Sequence, residues 1–308
     1  MVLDGILATT AARDGLLLVD KPAGVSSHDV VAVARRALSE KSVGHAGTLD
    51  PFATGLLVLL VGRATRLLQY LPHEPKRYDA TVQFGVETDT EDLNGVVSRE
   101  AGLPTVAALA SARLTLIGDI DQTPPAYSAK RVNGSRAYKL ARQGIVPALG
   151  PSRVHVNDLT LSAFELDANG AVSRCRMRVV CGGGTYVRSL ARDLARSAGS
   201  AAHLVALRRT ASGPFSAADA VSLDDLKDGK VTLRPPSDAL PGYPRQFLTA
   251  DDLARVVRGI DVPAHTLGAQ AALVIGGPDA KEVLVAFAER RTSDGGDRWQ
   301  PRVVMHER

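Results

Sequence analysis

The run Gly44-His45-Ala46-Gly47-Thr48-Leu49-Asp50-Pro51-Phe52-Ala53-Thr54-Gly55 sets one carboxylate, Asp50, among glycines and directly before a proline. The proline fixes its own φ and biases Asp50 toward extended backbone. The glycines permit backbone angles and close approaches that larger residues forbid. Four apolar residues, Leu56, Leu57, Val58 and Leu59, follow at once. A tight loop that presents an acid and then enters the core holds a reactive group still. The same residues also make an ordinary Asp-Pro turn between two elements, and spacing alone leaves both readings open.

Other runs have the residue types for chemistry and mostly fail on spacing. Gly182-Gly183-Gly184-Thr185 opens a helix, and free N–H groups at a helix start can hold an anion. It is not a Walker loop, since no Gly-Lys-Ser/Thr follows, nor a dinucleotide fingerprint, since Val187 stands where the last glycine belongs. Ser26, Ser27 and His28 are neighbours along a helix and do not face one another, so they read as a cap. A calcium loop through Glu87 to Gly95 puts Ala101 at the position that needs a carboxylate, which leaves a solvated turn. Cys175 and Cys181 fall on one strand about 20 Å apart, beyond disulfide reach, and neither has a His or Cys at metal spacing. A reducing cytoplasm fits.

At 308 residues the chain can bury a full core, with a large domain over 1–235 and a small one over 240–308. Pro235-Pro236 and Pro241-Gly242 mark the linker. Hydrophobic residues at 45% and charged residues at 23% define a soluble globular class. No apolar run reaches membrane-spanning length, and no basic n-region with a long apolar run marks a secretory signal. The net charge of +4 permits an anionic partner, but nucleic acid needs the charge clustered. A cluster lies at Lys130, Arg131, Arg136, Lys139 and Arg142, interleaved with Tyr127 and Tyr138. Cations with aromatics suit phosphate contact and base stacking; a solvated helix face is the competing reading.

The elements that must position these groups follow from periodicity. Strands are expected at Leu16 to Val19, Leu56 to Val61, around Tyr78-Ala80-Val82-Phe84, at 153–166 and at 171–181. Helices are expected from Ser26 or Ser27 to about Leu38, at 63–71, at 104–116, and from the glycine loop to about Ser197. In the last, Val187, Leu190, Ala191 and Leu194 give an apolar side, and Arg188, Arg192 and Arg196 recur along another. The tail reads as one helix near 250–259 and strands at 272–275, 283–287 and 302–305, with no sharp motif.

The Asp50 run resembles the catalytic motif of the bacterial tRNA pseudouridine(55) synthases, the TruB family. Asp20-Lys21-Pro22-Ala23-Gly24-Val25-Ser26-Ser27 is similar to its N-terminal signature, Lys76-Arg77-Tyr78 to its second motif, and Gly184-Thr185-Tyr186-Val187-Arg188-Ser189-Leu190 to its third. Leu207-Arg208-Arg209-Thr210 also fits, and the matches run in the family's order over about 15–215.

The resemblance implies a mixed α/β (α+β) catalytic domain around a long, mostly antiparallel sheet, with a small β-rich C-terminal domain. It implies an isomerase that flips uridine 55 out of the tRNA T-loop and exchanges its C–N glycosidic bond for a C–C bond. The atoms are conserved, so no cofactor is expected. Asp50 is then the essential carboxylate, Arg188 its partner and Tyr186 the agent of the final proton transfer. Tyr78 stacks under the base, His45 supports the opened loop, Leu207 walls the pocket and Lys21 buttresses the site. Residues 124–144 match an RNA-gripping insertion, and the small domain sits where the family binds RNA. The expected partner is the T-arm of tRNA, with no membrane, no obligatory protein partner, a monomeric state and a cytoplasmic location.

Overall fold

The computed structural model describes residues 14–305 apart from 129, 133–134, 146–148, 277–281 and 294–295. Its centre is a ten-stranded sheet. In chain order the strands are β1 (Gly15–Lys21), β2 (Val43–Ala46), β3 (Thr54–Val61), β4 (Lys76–Phe84), β5 (Val86–Thr88), β6 (Val97–Glu100), β7 (Gly118–Gln122), β8 (Ser152–Leu166), β9 (Val172–Cys181), β10 (Ala202–Ser212), β11 (Phe215–Ser216) and β12 (Val221–Ser222). The large sheet runs β12-β1-β3-β10-β4-β9-β8-β7, with β2 on β3 and β11 on β10; β5 and β6 form a separate hairpin. Only β1·β12 and β3·β10 pair in parallel, so the sheet is mostly antiparallel as expected.

Burial follows the sequence patterns. From Leu56 to Val61 β3 is fully buried, as an uninterrupted apolar run requires. On β4 the residues Tyr78, Ala80, Val82 and Phe84 are buried and their neighbours are not. Three helices matter for the site: α1 (Ser27–Ala37), α2 (Val106–Leu114) and α3 (Val187–Ser197). Ser26 caps α1 in a reciprocal box with Asp29, so the Ser-Ser-His run is a cap. The segment expected to be helical at 63–71 is a 3-10 helix, Gly62–Tyr70.

The sequence reading did not mark β10 as a strand. Its consecutive Arg208 and Arg209 break the apolar pattern, yet β10 lies between β3 and β4. Arg208 pairs bidentately with Asp20, at 2.9 and 2.7 Å. The fully buried Arg209 gives its donors to the carbonyls of Leu56 and Gly47, at 2.8 and 2.9 Å. Two cations are tolerated mid-sheet because their donors are satisfied. The β3·β10 contact also explains Gly55, whose φ is +101° and whose added Cβ would collide with the Arg209 carbonyl. Gly55→Ala is therefore expected to destabilise the protein by about 3 kcal/mol; an unchanged chemical-denaturation midpoint would contradict this packing.

The acidic turn around Glu87 to Gly95 is exposed only at its tip, Leu93 and Asn94. Glu87, Glu91 and Asp92 are buried, the first two against α3. Opposite charges on α3 make that burial possible, as described below.

The tail forms a second sheet of five strands: β13 (Arg245–Phe247), β14 (Val262–Pro263), β15 (Gln270–Ile275), β16 (Val283–Ser293) and β17 (Gly296–Val304), ordered β13-β15-β16-β17-β14. Its apolar face continues the core beneath β1 and β3. Phe287 packs on Tyr70 with ring centroids 4.3 Å apart, and the Tyr243 hydroxyl donates to the Tyr70 carbonyl at 2.9 Å.

Candidate active site

The Asp50 loop is clamped from three sides. Buried Ser27 on α1 accepts from the Leu49 N–H at 2.9 Å and donates to the Leu49 carbonyl at 3.1 Å. The Pro51 carbonyl accepts from the Gly24 N–H at 2.8 Å and from Lys21 Nζ at 3.3 Å. Arg209 holds the Gly47 carbonyl. A turn bond from the Ala53 N–H to the Asp50 carbonyl, at 3.1 Å, closes the loop. The carboxylate is thus fixed by backbone contacts on both of its neighbours, which makes the acid preorganised.

Arg188 meets that acid from the first turn of α3. Its Nε donates to Asp50 Oδ2 at 2.9 Å and its Nη2 to Oδ1 at 3.1 Å, a bidentate pair. Arg188 is 3% exposed while the Asp50 side chain keeps 33%, so one end of the pair opens to the cleft. Two of the three remaining guanidinium N–H groups go to the carbonyls of Thr90 at 2.6 Å and Tyr127 at 2.9 Å.

Two further arginines on α3 anchor the helix to the acidic turn. Arg192 pairs with Glu91, which also accepts from Ser189 at 2.9 Å. Arg196 binds Glu87 through two bonds, at 2.9 and 2.6 Å, and Arg99 adds a third at 2.9 Å. Burial alone would raise the Glu87 pKa; Arg196 and Arg99 outweigh it and bring the pKa down. The arginine stripe therefore faces carboxylates, with Arg188 and Arg192 buried and Arg196 still half-exposed. The matching four-residue spacings, Glu87 with Glu91 against Arg188, Arg192 and Arg196, are the signal that the sequence reading passed over.

The cleft around the pair is lined by Gly47, Leu49 and Asp50 of the loop, Lys76 and Tyr78 of β4, Leu207 and Arg209 of β10, and Gly184 to Arg188. Five of the seven residues singled out from sequence thus come together: Asp50, Tyr78, Tyr186, Arg188 and Leu207. Tyr186 precedes α3, and its backbone exchanges two bonds with the side-chain amide of Gln122, at 2.8 and 3.1 Å. Burial raises the pKa of the Tyr186 hydroxyl, opposed by the Ser128 hydroxyl beside it. Burial likewise raises that of Tyr78, opposed by the Arg209 guanidinium. Both phenols are held in the protonated form.

The other two stand behind the lining. His45 lies on β2, edge-on to His28 with centroids 5.8 Å apart, and its Nδ1 has no hydrogen-bond partner among the described residues. Burial, then His28 and Arg209, lower its pKa, so the ring is neutral. Lys21 is fully buried under the loop and donates to Pro22, Val25 and Pro51 carbonyls, at 2.9, 2.8 and 3.3 Å. Burial brings its pKa down to about 8 against the opposing pull of Asp50. The folded state then binds fewer protons than the unfolded chain between pH 8 and 10.5, so this group makes stability rise with pH across that window. Lys21→Met is expected to remove that rise, at most about 3 kcal/mol. Denaturation curves from pH 7 to 10.5 that stay parallel for both proteins would contradict it.

Ser27, Gln122, Ser128, Lys76 and Arg209 were not singled out as site residues. Lys76 and Arg209 lie inside quoted motifs; Gln122 and Ser128 carry no local signal, since only the tertiary fold brings them to Tyr186. The basic cluster is described only in part. A hairpin of Arg131–Val132 and Ser135–Arg136 and a helix Ala137–Arg142 follow Ser128, but the side chains of Arg131, Arg136, Lys139 and Arg142 lie outside the described residues. The two cysteines are buried free thiols on β9, pushed by burial up to about 12 for Cys175 and about 11 for Cys181. No helix among the described residues is long and apolar enough to cross a membrane.

Solved structures share this architecture. An H/ACA RNP bound to a substrate RNA containing 2'-deoxyuridine matches with a TM-score of 0.70 at 22% identity, over 98% of this chain and 88% of that one. A Cbf5-Nop10-Gar1 complex matches with a TM-score of 0.69 at 24% identity over the same shares. These likenesses show the fold; the class, that of the pseudouridine synthases, follows from the family models that the sequence matches. More narrowly, the chain belongs to the TruB family of pseudouridylate synthases. The family's N-terminal domain matches residues 35–187, and the C-terminal domain of tRNA pseudouridylate synthase B matches 188–261. A protein named tRNA pseudouridine synthase B from Thermobifida fusca is 42% identical over 95% of this chain and 98% of its own length. One of the same name from Mycobacteroides abscessus is 39% identical over 96% and 97%. The protein is thus an enzyme of the isomerase type.

Proposed function

We propose that this chain converts the T-loop uridine at position 55 of tRNA to pseudouridine, using Asp50 as the essential carboxylate. The curated relatives that align along nearly its whole length are named for tRNA, whereas its likeness to the H/ACA RNP and the Cbf5-Nop10-Gar1 complex rests on fold. The observation that carries the reading is the clamped Asp50, paired bidentately with buried Arg188 yet open to a cleft lined by Tyr78, Leu207 and Tyr186.

In this reading the uridine is extruded and stacks on Tyr78, at an unstacking cost of a few kcal/mol. Asp50 acts at the ribose, either on C1′ or on the neighbouring C–H, as the C1′–N1 bond breaks. The freed uracil turns within the cleft and C1′ bonds to C5. N1 ends with a proton and C5 must lose one. Tyr186, a phenol already protonated at neutral pH and pushed further that way by burial, receives the C5 proton only as it passes its own on, so it serves as a relay. Tyr186→Phe is expected to lower turnover about 10²- to 10³-fold with RNA affinity retained; full turnover would exclude the relay. His45 and Lys21 support the cleft without lining it. Residues 1–235 form the catalytic unit and 240–308 extend the RNA contact, with the 124–144 insertion gripping the T-arm.

The test is tritium release from tRNA carrying 5-tritiated uridine, by the purified chain with no guide RNA, at cytoplasmic ionic strength. Stoichiometric release from one uridine per tRNA is expected. No release without an added guide or protein partner would contradict the stand-alone reading.

A further inference from the structure

Lys76 is the one cation of the cleft lining that the mechanism leaves without a task. It opens β4 two residues before Tyr78, so the two side chains share a face of the sheet, about 7 Å apart along the strand. It is only 9% exposed, yet its ammonium makes no hydrogen bond or ion pair with the described residues. The Nζ lies between the two loops that flank the cleft: a Cβ on Gly47 would stand 3.8 Å from it and one on Gly183 3.9 Å. Burial and then Arg209 lower its pKa, while Glu74 and Cys181 pull the other way. A buried lysine left without an acceptor costs stability unless something else supplies one.

The facing loop has donors of the same kind. The N–H groups of Gly183, Gly184 and Thr185 donate to nothing among the described residues, although the flanking N–H groups of Gly182 and Tyr186 are bound to the His155 carbonyl and to Gln122. Gly184 and Thr185 line the cleft at the N-terminal end of α3, an eleven-residue helix. Such an end favours negative charge. The Glu74 carboxylate lies against this loop on the Lys76 side: a Cβ on Gly183 would meet its Oε1 and one on Gly182 its Oε2 at 3.4 Å, yet it makes no ion pair with Lys76 and pairs only distantly with His73 at 3.8 Å.

We propose that Lys76 and the backbone N–H groups of Gly184 and Thr185 hold a backbone phosphate of the flipped nucleotide. The proposal rests on the reading of the cleft as a uridine-isomerising site and adds the group by which the nucleotide, beyond its base, is gripped. The base stacks on Tyr78, and a phosphodiester one strand step away on the same face satisfies both the unpaired ammonium and the free N–H groups. Lys76 is a positioning residue: it fixes the ribose so that C1′ faces Asp50.

The test uses a T-arm stem-loop RNA with a neutral methylphosphonate at the phosphate 5′ or 3′ to the target uridine, read as kcat/KM by single-nucleotide mapping. For the wild type one of these replacements is expected to cost about ten- to a hundred-fold. Lys76→Met and Lys76→Gln should show about the same loss on ordinary RNA and no further loss with the methylphosphonate, whereas Lys76→Arg should keep the penalty. The salt slope of binding should fall by about 1 in the neutral variants. A penalty of equal size in wild type and neutral variants overturns the proposal. So does a wild type indifferent to both replacements, a result that needs no variant to fold. A wild type that fails on unmodified RNA rejects the proposed function instead, so the two failures are distinct.

Discussion

Asp50→Asn is expected to abolish turnover, by at least about 10⁴-fold in kcat, while tRNA binding changes little. The substitution keeps the volume and most of the hydrogen-bonding capacity of the side chain, and the loop does not depend on the carboxylate. Its shape is held by Ser27 on Leu49, by Gly24 and Lys21 on Pro51, and by Arg209 on Gly47. An amide can still touch Arg188, but it cannot act on the ribose as base or nucleophile. Single-turnover measurement with saturating enzyme separates this from an affinity defect. A loss seen only as raised KM would mean that Asp50 binds substrate and another group does the chemistry.

Arg188 variants should be the next most damaging, and they should split two roles. Arg188→Lys keeps the charge but loses the planar fork that reaches both Asp50 oxygens and the carbonyls of Thr90 and Tyr127. Its expected cost is about 10²- to 10³-fold in kcat. Arg188→Met also removes the charge and strands two carbonyls. It should destabilise the fold by about 2 kcal/mol, less than a fully buried broken pair because the Asp50 side chain keeps a third of its exposure. Thermal melts beside single-turnover rates distinguish the two. A lysine variant with wild-type kcat would show that charge alone suffices and that the bidentate geometry is incidental.

The sequence revealed much of this site for a definite reason. Asp50, Tyr78, Tyr186, Arg188 and Leu207 sit in short runs whose neighbours are fixed by backbone demands, such as the Gly55 contact with β10, so the runs read clearly. The strands β1, β3, β4, β8 and β9 were legible because their apolar patterns report one- or two-sided burial directly. What stayed hidden depends on tertiary pairing of charge. The central strand β10 was obscured because Arg208 and Arg209 look like surface residues until Asp20 and the carbonyls of Gly47 and Leu56 are in place. The acidic turn looked solvated because its partners on α3 lie about a hundred residues away in the chain. Gln122 and Ser128 could be found only once β7 and the following loop were placed beside Tyr186.

In the proposed function one clamped carboxylate isomerises one uridine of tRNA. The most direct test incubates unmodified tRNA transcript with the wild type and with Asp50→Asn and maps pseudouridine at single-nucleotide resolution. Conversion of the T-loop uridine is expected from the wild type alone, with both proteins binding the RNA. Tight binding by both proteins with no uridine converted would contradict stand-alone synthesis, and conversion by Asp50→Asn would contradict the role of the carboxylate.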